Sequence, residues 1–543
     1  MNKVKGWRVL VVGLFVSLVS VVLGTKQVEA KELIRGADIS ILADMEKSGA
    51  GYYENGVKKD ALQILKNNGV NYVRLRLWQD PYDDQGNSYG AGTNDLKTTI
   101  ALAKRAKNLG LKVLLDFHYS DFWVDPGKQN LPKAWENYSF EQLDAALYGY
   151  TKSVLTEMKN NGVYPDMVQI GNELNSGMLW PHGKSWGEGG GEFDRLATFL
   201  KSGIRGVKET QPVDTPIMLH LADGGDTDVF TWWFDEITKR GVDYDLIGLS
   251  YYPYWHGSMN ALQTTMNTIS ARYDKEVNVV ETAYGHTTAN ADSMPNAFGP
   301  EQEIAGGYAA TPAGQREYLN DLVTRIQTVP NEKGNGFFYW EPLWYNGNVS
   351  WATAAGMNYL GVQSQTGNEW DNQAMFDFNG QALPSLKAFQ DAGRQQNLLK
   401  NPSFENDGFT NAPSNWSVWR GNGAAIDTLK TETGGFSGMY KATFWDDQAY
   451  QMSIYQTVNG LSKGTYTLTA YTMAGGDLTT SQVYVKNHGG EELKASITKS
   501  GEWTKVTIKD IPVTSGTSEI GIYVDAKAQG WTSVDHVTLV KNQ

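Results

Sequence analysis

Eight short apolar runs, spread over residues 33–342 and separated by stretches of helical periodicity, constrain the fold of this chain more than any other feature. They are LIRGADIS (33–40), NYVRLRLW (71–78), LKVLLDFHYS (111–120), DMVQIGNE (166–173), PIMLHLAD (216–223), LIGLSYYP (246–253), VNVVETAY (277–284) and GFFYWEP (336–342). Between them lie amphipathic pieces such as DALQILKNNG (60–69) and LKTTIALAKRAKNLG (96–110), the second closed by a glycine of the kind that caps helix ends. Strands that alternate with helices pair in parallel through crossovers, and eight such units match a closed barrel with helices outside. The alternative, an open doubly wound sheet, lacks a glycine-rich phosphate turn after its first strand. The expected class is α/β, with a (β/α)8 TIM barrel over residues 31–393.

The pattern changes near residue 390. Helical periodicity stops, and from NLLKNPSFENDGF (397–409) onward come alternating segments: MYKATFW, YQMSIYQTV, TYTLTAYTM, SQVYVKN, WTKVTIKD, SEIGIYVDA and HVTLVKN. Short strands punctuated by turns predict an all-β sandwich over residues 397–543. The first thirty residues have Lys3, Lys5 and Arg8, then an apolar run, then the small residue Ala30. That layout predicts a secretory signal peptide over 1–30, removed near Ala30, with a lone membrane anchor as the alternative. The absence of cysteine fits an exported protein and excludes disulfides and thiolate metal sites. A net charge of −13 with no basic block argues against nucleic acid and anionic membranes as partners. With 18 Trp and 28 Tyr the chain is rich in rings that stack on flat apolar faces such as those of sugars.

In a barrel of this kind the reacting groups sit at the carboxyl ends of the strands. Here those ends carry Arg74 and Arg76, Asp116 and His118, Asn172 and Glu173, His220 and Asp223, Tyr251 and Tyr252, Glu281, and Trp340 and Glu341. Glu173 ends the fourth strand and Glu281 the seventh, nearly opposite across a closed barrel. Such a pair suits glycoside hydrolysis, in which one carboxylic acid protonates the leaving oxygen and the other attacks the anomeric carbon, about 5–5.5 Å away if configuration is retained. The acid then needs a raised pKa and the nucleophile a depressed one. Asn172 can bond a sugar 2-hydroxyl, and either Arg74 or Arg76 can hold the nucleophile ionised.

The motifs RGADIS, YVRLRLW, DFHYSDFWVDPGKQ, GNELNSG and DNQAMFDFNGQALPSL resemble those of the arabinogalactan endo-β-1,4-galactanases, glycoside hydrolase family 53 of clan A, over residues 33–390. The resemblance implies a secreted, retaining endo-β-1,4-galactanase that hydrolyses β-1,4-galactan in type I arabinogalactan, with Glu173 as acid/base and Glu281 as nucleophile. It implies a substrate cleft formed by Arg76, His118, Asp125 and Lys128 of the DPGK loop, Asn172, Asp223, Tyr252, Gly285, Trp340 and Trp344. Two rivals stand beside this reading: another clan A endo-β-glycanase acting on mannan, xylan or β-glucan, and a non-catalytic carbohydrate-binding protein. A monomer is expected.

In TTANADSMPNAFGP (287–300), Asn290, Asp292, Met294 and Asn296 recur at every second position, as oxygen ligands do in a loop that wraps a hard cation. By resemblance, a structural calcium ties this loop to Asn368 and Asp371, although Asn290 and Met294 stand where better ligands are the rule. The region from NLLKNPSFE resembles the galactose-binding-like jelly rolls used as carbohydrate-binding modules, of the galactan-binding kind, module family 61. Trp416, Trp419, Arg420, Trp445 and Trp531 are its sugar-binding candidates.

Overall fold

In the computed structural model, which describes residues 32–186, 192–212, 214–394 and 397–542, all eight barrel strands form. They are β1 (Ile34–Asp38), β2 (Tyr72–Leu77), β3 (Lys112–Phe117), β4 (Met167–Ile170), β5 (Ile217–Leu221), β6 (Leu246–Ser250), β7 (Glu276–Thr282) and β8 (Gly334–Tyr339). They close in chain order, with β8 beside β1 and every pairing parallel. The signal-peptide segment 1–30 lies outside the described residues.

Local chemistry explains the helices between the strands. Asp60 caps Ala61–Asn67 by accepting from the Gln63 N–H at 3.0 Å, and Asp95 caps Leu96–Asn108 through Thr98 at 2.7 Å. Gly110, at φ +72°, ends the second of these in the left-handed region that glycine enters without strain. The long helix Phe140–Asn160 opens with a capping box between Ser139 and Gln142.

Inside the barrel, alternate residues form layers. The lowest layer is apolar and takes one side chain from each strand: Ile34, Tyr72, Leu114, Met167, Met218, Leu246, Val280 and Phe338. Gly36 and Gly248 make room for it, since a Cβ there would lie 2.1 Å from the Phe338 ring and 2.7 Å from the Met218 sulfur. Two residues further along β2 to β5 the interior turns polar at Arg74, Asp116, Gln169 and His220, and four residues past Ile34 at Asp38, all buried. The period of two carries each strand from an apolar floor to a charged mouth.

The C-terminal region is a sandwich of ten strands: β9 (Ser417–Arg420), β10 (Leu429–Thr433), β11 (Tyr440–Trp445), β12 (Tyr450–Asn459), β13 (Gly464–Gly475), β14 (Leu478–Lys486), β15 (Leu493–Ser496), β16 (Ser500–Val513), β17 (Thr517–Ala526) and β18 (Trp531–Lys541). One sheet runs β9-β12-β17-β14-β15 and the other β10-β11-β18-β13-β16, all antiparallel. Seven of these strands are legible as alternating segments. β9, β10 and β15 are not, because they are short edge strands of four or five residues.

Candidate active site

The mouth of the barrel is organised by Arg74, which is fully buried. Its Nη1 lies 2.7 Å from Glu281 Oε1 and 3.2 Å from Asp38 Oδ2, and its Nη2 donates to Asp116 Oδ2 at 2.8 Å and Asn172 Oδ1 at 2.9 Å. Nε donates to Gln169 Oε1 at 3.3 Å. Arg74, not Arg76, is the arginine on Glu281. The second oxygen of Glu281 accepts from the Tyr252 hydroxyl at 3.3 Å.

Two backbone irregularities aim the carboxylates. The register between β6 and β7 shifts so that Leu249 opposes Val279 while Ser250 opposes Glu281. This bulge lets Val280 fill the barrel floor while its neighbour Glu281 also reaches Arg74 in the mouth. After β4, Gly171 (φ +80°) and Glu173 (φ +48°) both adopt left-handed backbone, which a glutamate rarely does. The resulting turn brings Glu173 Oε1 to 2.6 Å from the Ser250 hydroxyl.

Burial drives Glu173 well above the usual carboxylate range, and the Glu281 charge adds to the effect, against the Ser250 hydrogen bond. Glu281 is not depressed as the sequence reading requires of a nucleophile. Burial raises it, and the Arg74 guanidinium opposes that rise. The contrast between the two carboxyls is one of partners: Arg74 sits on Glu281, where it favours the charged form, and the Ser250 hydroxyl on Glu173. His220 is held well below the ordinary imidazole range, by burial and then by Arg74, and is therefore neutral.

A track of rings lines the cleft. Trp340 lies 6.1 Å from Trp123 and 4.7 Å from Trp370, and Trp370 lies 6.1 Å from the exposed Trp255, which also touches Tyr252. Arg76 lies beneath this track, its guanidinium 4.6 Å from the Trp123 ring and 5.4 Å from that of Trp340, ion-paired to Glu341 at 2.7 Å. It is buried beneath the Trp123 and Trp340 rings. Among the other cleft candidates, Asn172 is buried and anchors Arg74, and His118 is buried between Asp116 and the Trp78 indole. Asp125 and Lys128 pair with each other in a half-exposed turn, and Asp223 faces His256 at 3.5 Å. One expectation is corrected. Trp344 is buried with its indole bonded to the Val349 carbonyl at 2.9 Å, which makes it a core residue. Gly285 is buried, and a Cβ there would lie 2.2 Å from the Phe298 ring. The sequence reading passed over Ser250, Trp123, Trp255, Trp370 and Gln169. Ser250 was within reach, as the last residue of a strand.

Among the described residues no group of three or more His, Cys, Asp or Glu gathers to hold a metal. The loop 287–300 nevertheless offers oxygens of the right kind. Asp371 Oδ1 accepts from Asn296 Nδ2 at 2.8 Å and its Oδ2 from the Ala291 N–H at 3.0 Å, while Asp292 accepts from the N–H groups of Met294 at 2.7 Å and Asn368 at 2.8 Å. Asn290 Nδ2 donates to the Met294 carbonyl at 2.5 Å, and Asn296 Oδ1 is buried without a partner. Asp371 is pushed up to about 6, first by burial, with Asp292 adding to it. Two carboxylates and an orphaned amide oxygen fit a hard cation, which Asp292, Asp371, Asn296 and the Met294 carbonyl, with Asn290 once its amide turned, would hold. Asn368 is committed to the backbone of Trp344, Asn346 and Trp370, so it clamps the loop instead.

On the sandwich, Trp419, Tyr455, Tyr484 and Tyr523 line a groove of about 430 Å³ on the outer face of the β9-containing sheet, with Gln482, Lys486 and Glu519 among them. Trp419 is exposed and its ring lies 6.2 Å from Tyr523. The other candidates are elsewhere. Trp416 is buried, with its indole bonded to the Asn401 carbonyl, and Arg420 turns back to the carbonyls of Asn411, Ala425 and Ile426. Trp445 and Trp531 sit opposite each other on the second sheet.

A (β/α)8 barrel with two differently partnered carboxyls in a tryptophan-lined mouth defines a glycoside hydrolase. The chain belongs to glycosyl hydrolase family 53, whose family model matches residues 34–389. It is 37% identical over 390 residues to the endo-beta-1,4-galactanase of Bacillus subtilis, covering 67% of this chain and 87% of that one. Among solved structures, the Ignisphaera aggregans GH53 catalytic domain aligns with a TM-score of 0.61 and 43% identity, over 66% of this chain and 96% of that one. The protein TmCBM61, solved with beta-1,4-galactotriose, is 26% identical over 27% of this chain and 99% of its own, with a TM-score of 0.24.

Proposed function

We propose that the protein is a secreted, retaining endo-β-1,4-galactanase acting on β-1,4-galactan. The observation that carries this reading is the pairing of Glu281, held by Arg74 and Tyr252, with Glu173, held by the Ser250 hydroxyl. Glu281 attacks the anomeric carbon and forms a glycosyl ester, while the Glu173 proton passes to the departing glycosidic oxygen. Glu173, now ionised, takes a proton from water, whose oxygen displaces Glu281 from the same carbon. Two inversions return the original configuration. The galactanase names of relatives support galactan as the polymer, and the layout of residues 1–30 supports secretion.

A calcium ion in the loop 287–300 is part of this reading, as a clamp remote from the chemistry. So is galactan binding by the sandwich, through the groove of Trp419, Tyr455 and Tyr523, where neighbouring rings match the flat faces of successive sugars. Reducing-end release from galactan, mannan, xylan and β-glucan tests the polymer, and proton NMR of the first product tests configuration. Release from mannan or xylan in preference to galactan defeats the substrate assignment, and an inverted first product defeats the double displacement.

A further inference from the structure

The segment that follows Glu173 does more than carry it. After one 3-10 turn the chain doubles back as a short hairpin, Gly177–Met178 against Gly183–Lys184. A Cβ on Gly177 would lie 2.0 Å from the Gly183 carbonyl, so the two arms come this close only without a side chain there. The bend carries Trp180, and Trp186 stands just past the second arm. Trp180 is fixed from two sides: its N–H donates to the Gln129 carbonyl and its indole to that of Ser176, both at 2.8 Å. Gln129 in turn donates from Nε2 to the Asn172 carbonyl at 2.9 Å and to that of Asp125 at 3.2 Å, so one buried side chain clamps the turn of the acid to the neighbouring loop. The second arm is tied down through Ser185, which donates to the Asn175 carbonyl at 2.6 Å, and Asn175 bonds both the N–H and the carbonyl of Ala222 just past β5. Between the two indoles sits Lys184, its Nζ 4.7 Å from the centre of the Trp180 ring and 5.5 Å from that of Trp186. Among the described residues no hydrogen-bond acceptor meets its N–H groups, and Trp186 is 56% exposed.

We propose that Trp180, Lys184 and Trp186 form the leaving-group end of the cleft and bind the galactosyl units that depart with the glycosidic oxygen. The direction follows from the chemistry. In-line displacement by Glu281 puts the leaving oxygen on the far side of the anomeric carbon, toward Glu173, and the sugars attached to that oxygen continue past it. Because β4 and β7 lie nearly opposite in the closed barrel, what those sugars meet is the loop that follows Glu173. Galactose suits such a surface. Its axial 4-hydroxyl leaves the hydrogens of C3, C4 and C5 together on one apolar face, which an indole covers, and its hydroxyls accept from an ammonium. The cation also holds the two rings in place before a sugar arrives, so less freedom is lost on binding. This site rests on the galactanase reading, with Glu173 as the acid.

The test compares two substrates on the full chain. An aryl β-galactobioside places both of its sugars on the glycone side and only the aryl group beyond Glu173, whereas galactohexaose tagged at its reducing end can fill both sides. Trp186→Ala and Lys184→Ala should each lose about tenfold more in kcat/KM on the hexaose than on the aryl substrate, through the lost ring face or its cation. Cleavage of the tagged hexaose should move toward the reducing end, because fewer sugars are held beyond Glu173. Transfer of galactobiosyl units from the aryl substrate to added galactobiose should also fall, since the acceptor enters the same site in reverse. Trp186→Tyr should restore all three. Trp186 is exposed, so its variants decide the matter even where Trp180→Ala does not fold. A parallel loss on both substrates, or an unaltered cleavage pattern, overturns the proposal, and so does a shift toward the non-reducing end, which would assign the rings to the glycone side. A native protein that cleaves neither substrate overturns the galactanase reading and this site together, whereas the other adverse outcomes overturn the site alone.

Discussion

Arg74 divides its guanidinium among Glu281, Asp38, Asp116, Asn172 and Gln169, all beneath the surface. A buried cation is tolerable only when its N–H groups are met and its charge is balanced, and here both conditions hold. Because Arg74 opposes the burial-driven rise of Glu281, weakening it should raise the proton affinity of the nucleophile. Arg74→Lys keeps the charge and loses the fork that reaches five partners. The acid limb of kcat/KM should therefore move to higher pH in that variant, and an unchanged limb would separate Arg74 from the ionisation of Glu281. Glu173→Ala should lose about 10²–10⁴-fold on galactan, recover on aryl galactosides whose leaving group needs no proton, and respond to azide. Glu281→Gln should recover on neither substrate.

At the scale of elements, the loop 287–300 and the segment at Asp371 are joined by hydrogen bonds onto two carboxylates. Asp371 has an ordinary value of 3.8 and is pushed up to about 6 in the fold. The folded state therefore binds that proton more tightly than the unfolded chain does. Its contribution to stability is complete below the lower value and is lost as pH rises through the upper one. A cation inverts this dependence by favouring the charged form, and by binding only the folded state it raises stability by mass action. Chelation should lower the melting temperature more at about pH 7 than at about pH 4.5, and Asp292→Ala should remove most of that sensitivity. Calorimetry with and without chelator at the two pH values is the measurement. Matching curves for a protein shown to be metal-free would assign the loop to its hydrogen bonds alone.

Across the whole molecule, the sandwich rests on the barrel helices Met259–Tyr273 and Pro312–Gln327. Arg325 donates to Asn260 Oδ1 at 3.0 Å and lies 5.5 Å from the Phe436 ring, and Asn267 donates to Glu405 at 3.2 Å. Burial pushes Glu405 up to about 7 from 4.5. Its stabilisation is complete below the lower value and fades as pH rises through the upper, so the junction should loosen above neutrality, read as a second calorimetric transition emerging near pH 8. A chain ending at residue 394 should keep its turnover on short soluble galacto-oligosaccharides and lose activity on cell-wall galactan, because tethering raises local substrate concentration without touching the chemical step. Trp419→Ala and Tyr523→Ala should abolish retardation in affinity electrophoresis through galactan, while Trp445→Ala, on the other sheet, should leave it intact. The reverse outcome would move the sugar site to the Trp445 and Trp531 face.

The sequence by itself determined the eight barrel strands, their closure, the change to a sandwich near residue 390 and the two strand-end glutamates. All of these follow from periodicity, caps and position along a strand, which are local properties. What alternation could not show is how Val280 and Glu281, adjacent in the chain, both project inward, because the bulge that permits it is defined only against β6. Nor could it choose between Arg74 and Arg76, which share a strand face; the choice was made by Glu281 on one side and by the Trp123 and Trp340 rings on the other. Trp344 and Trp416 read in sequence like Trp340 and Trp419, since an indole suits a core as well as a sugar, and only neighbours brought from elsewhere in the chain decide which it meets. The line from Glu173 through Ser250 to His220 joins the ends of three strands, and its geometry exists only once the barrel has closed.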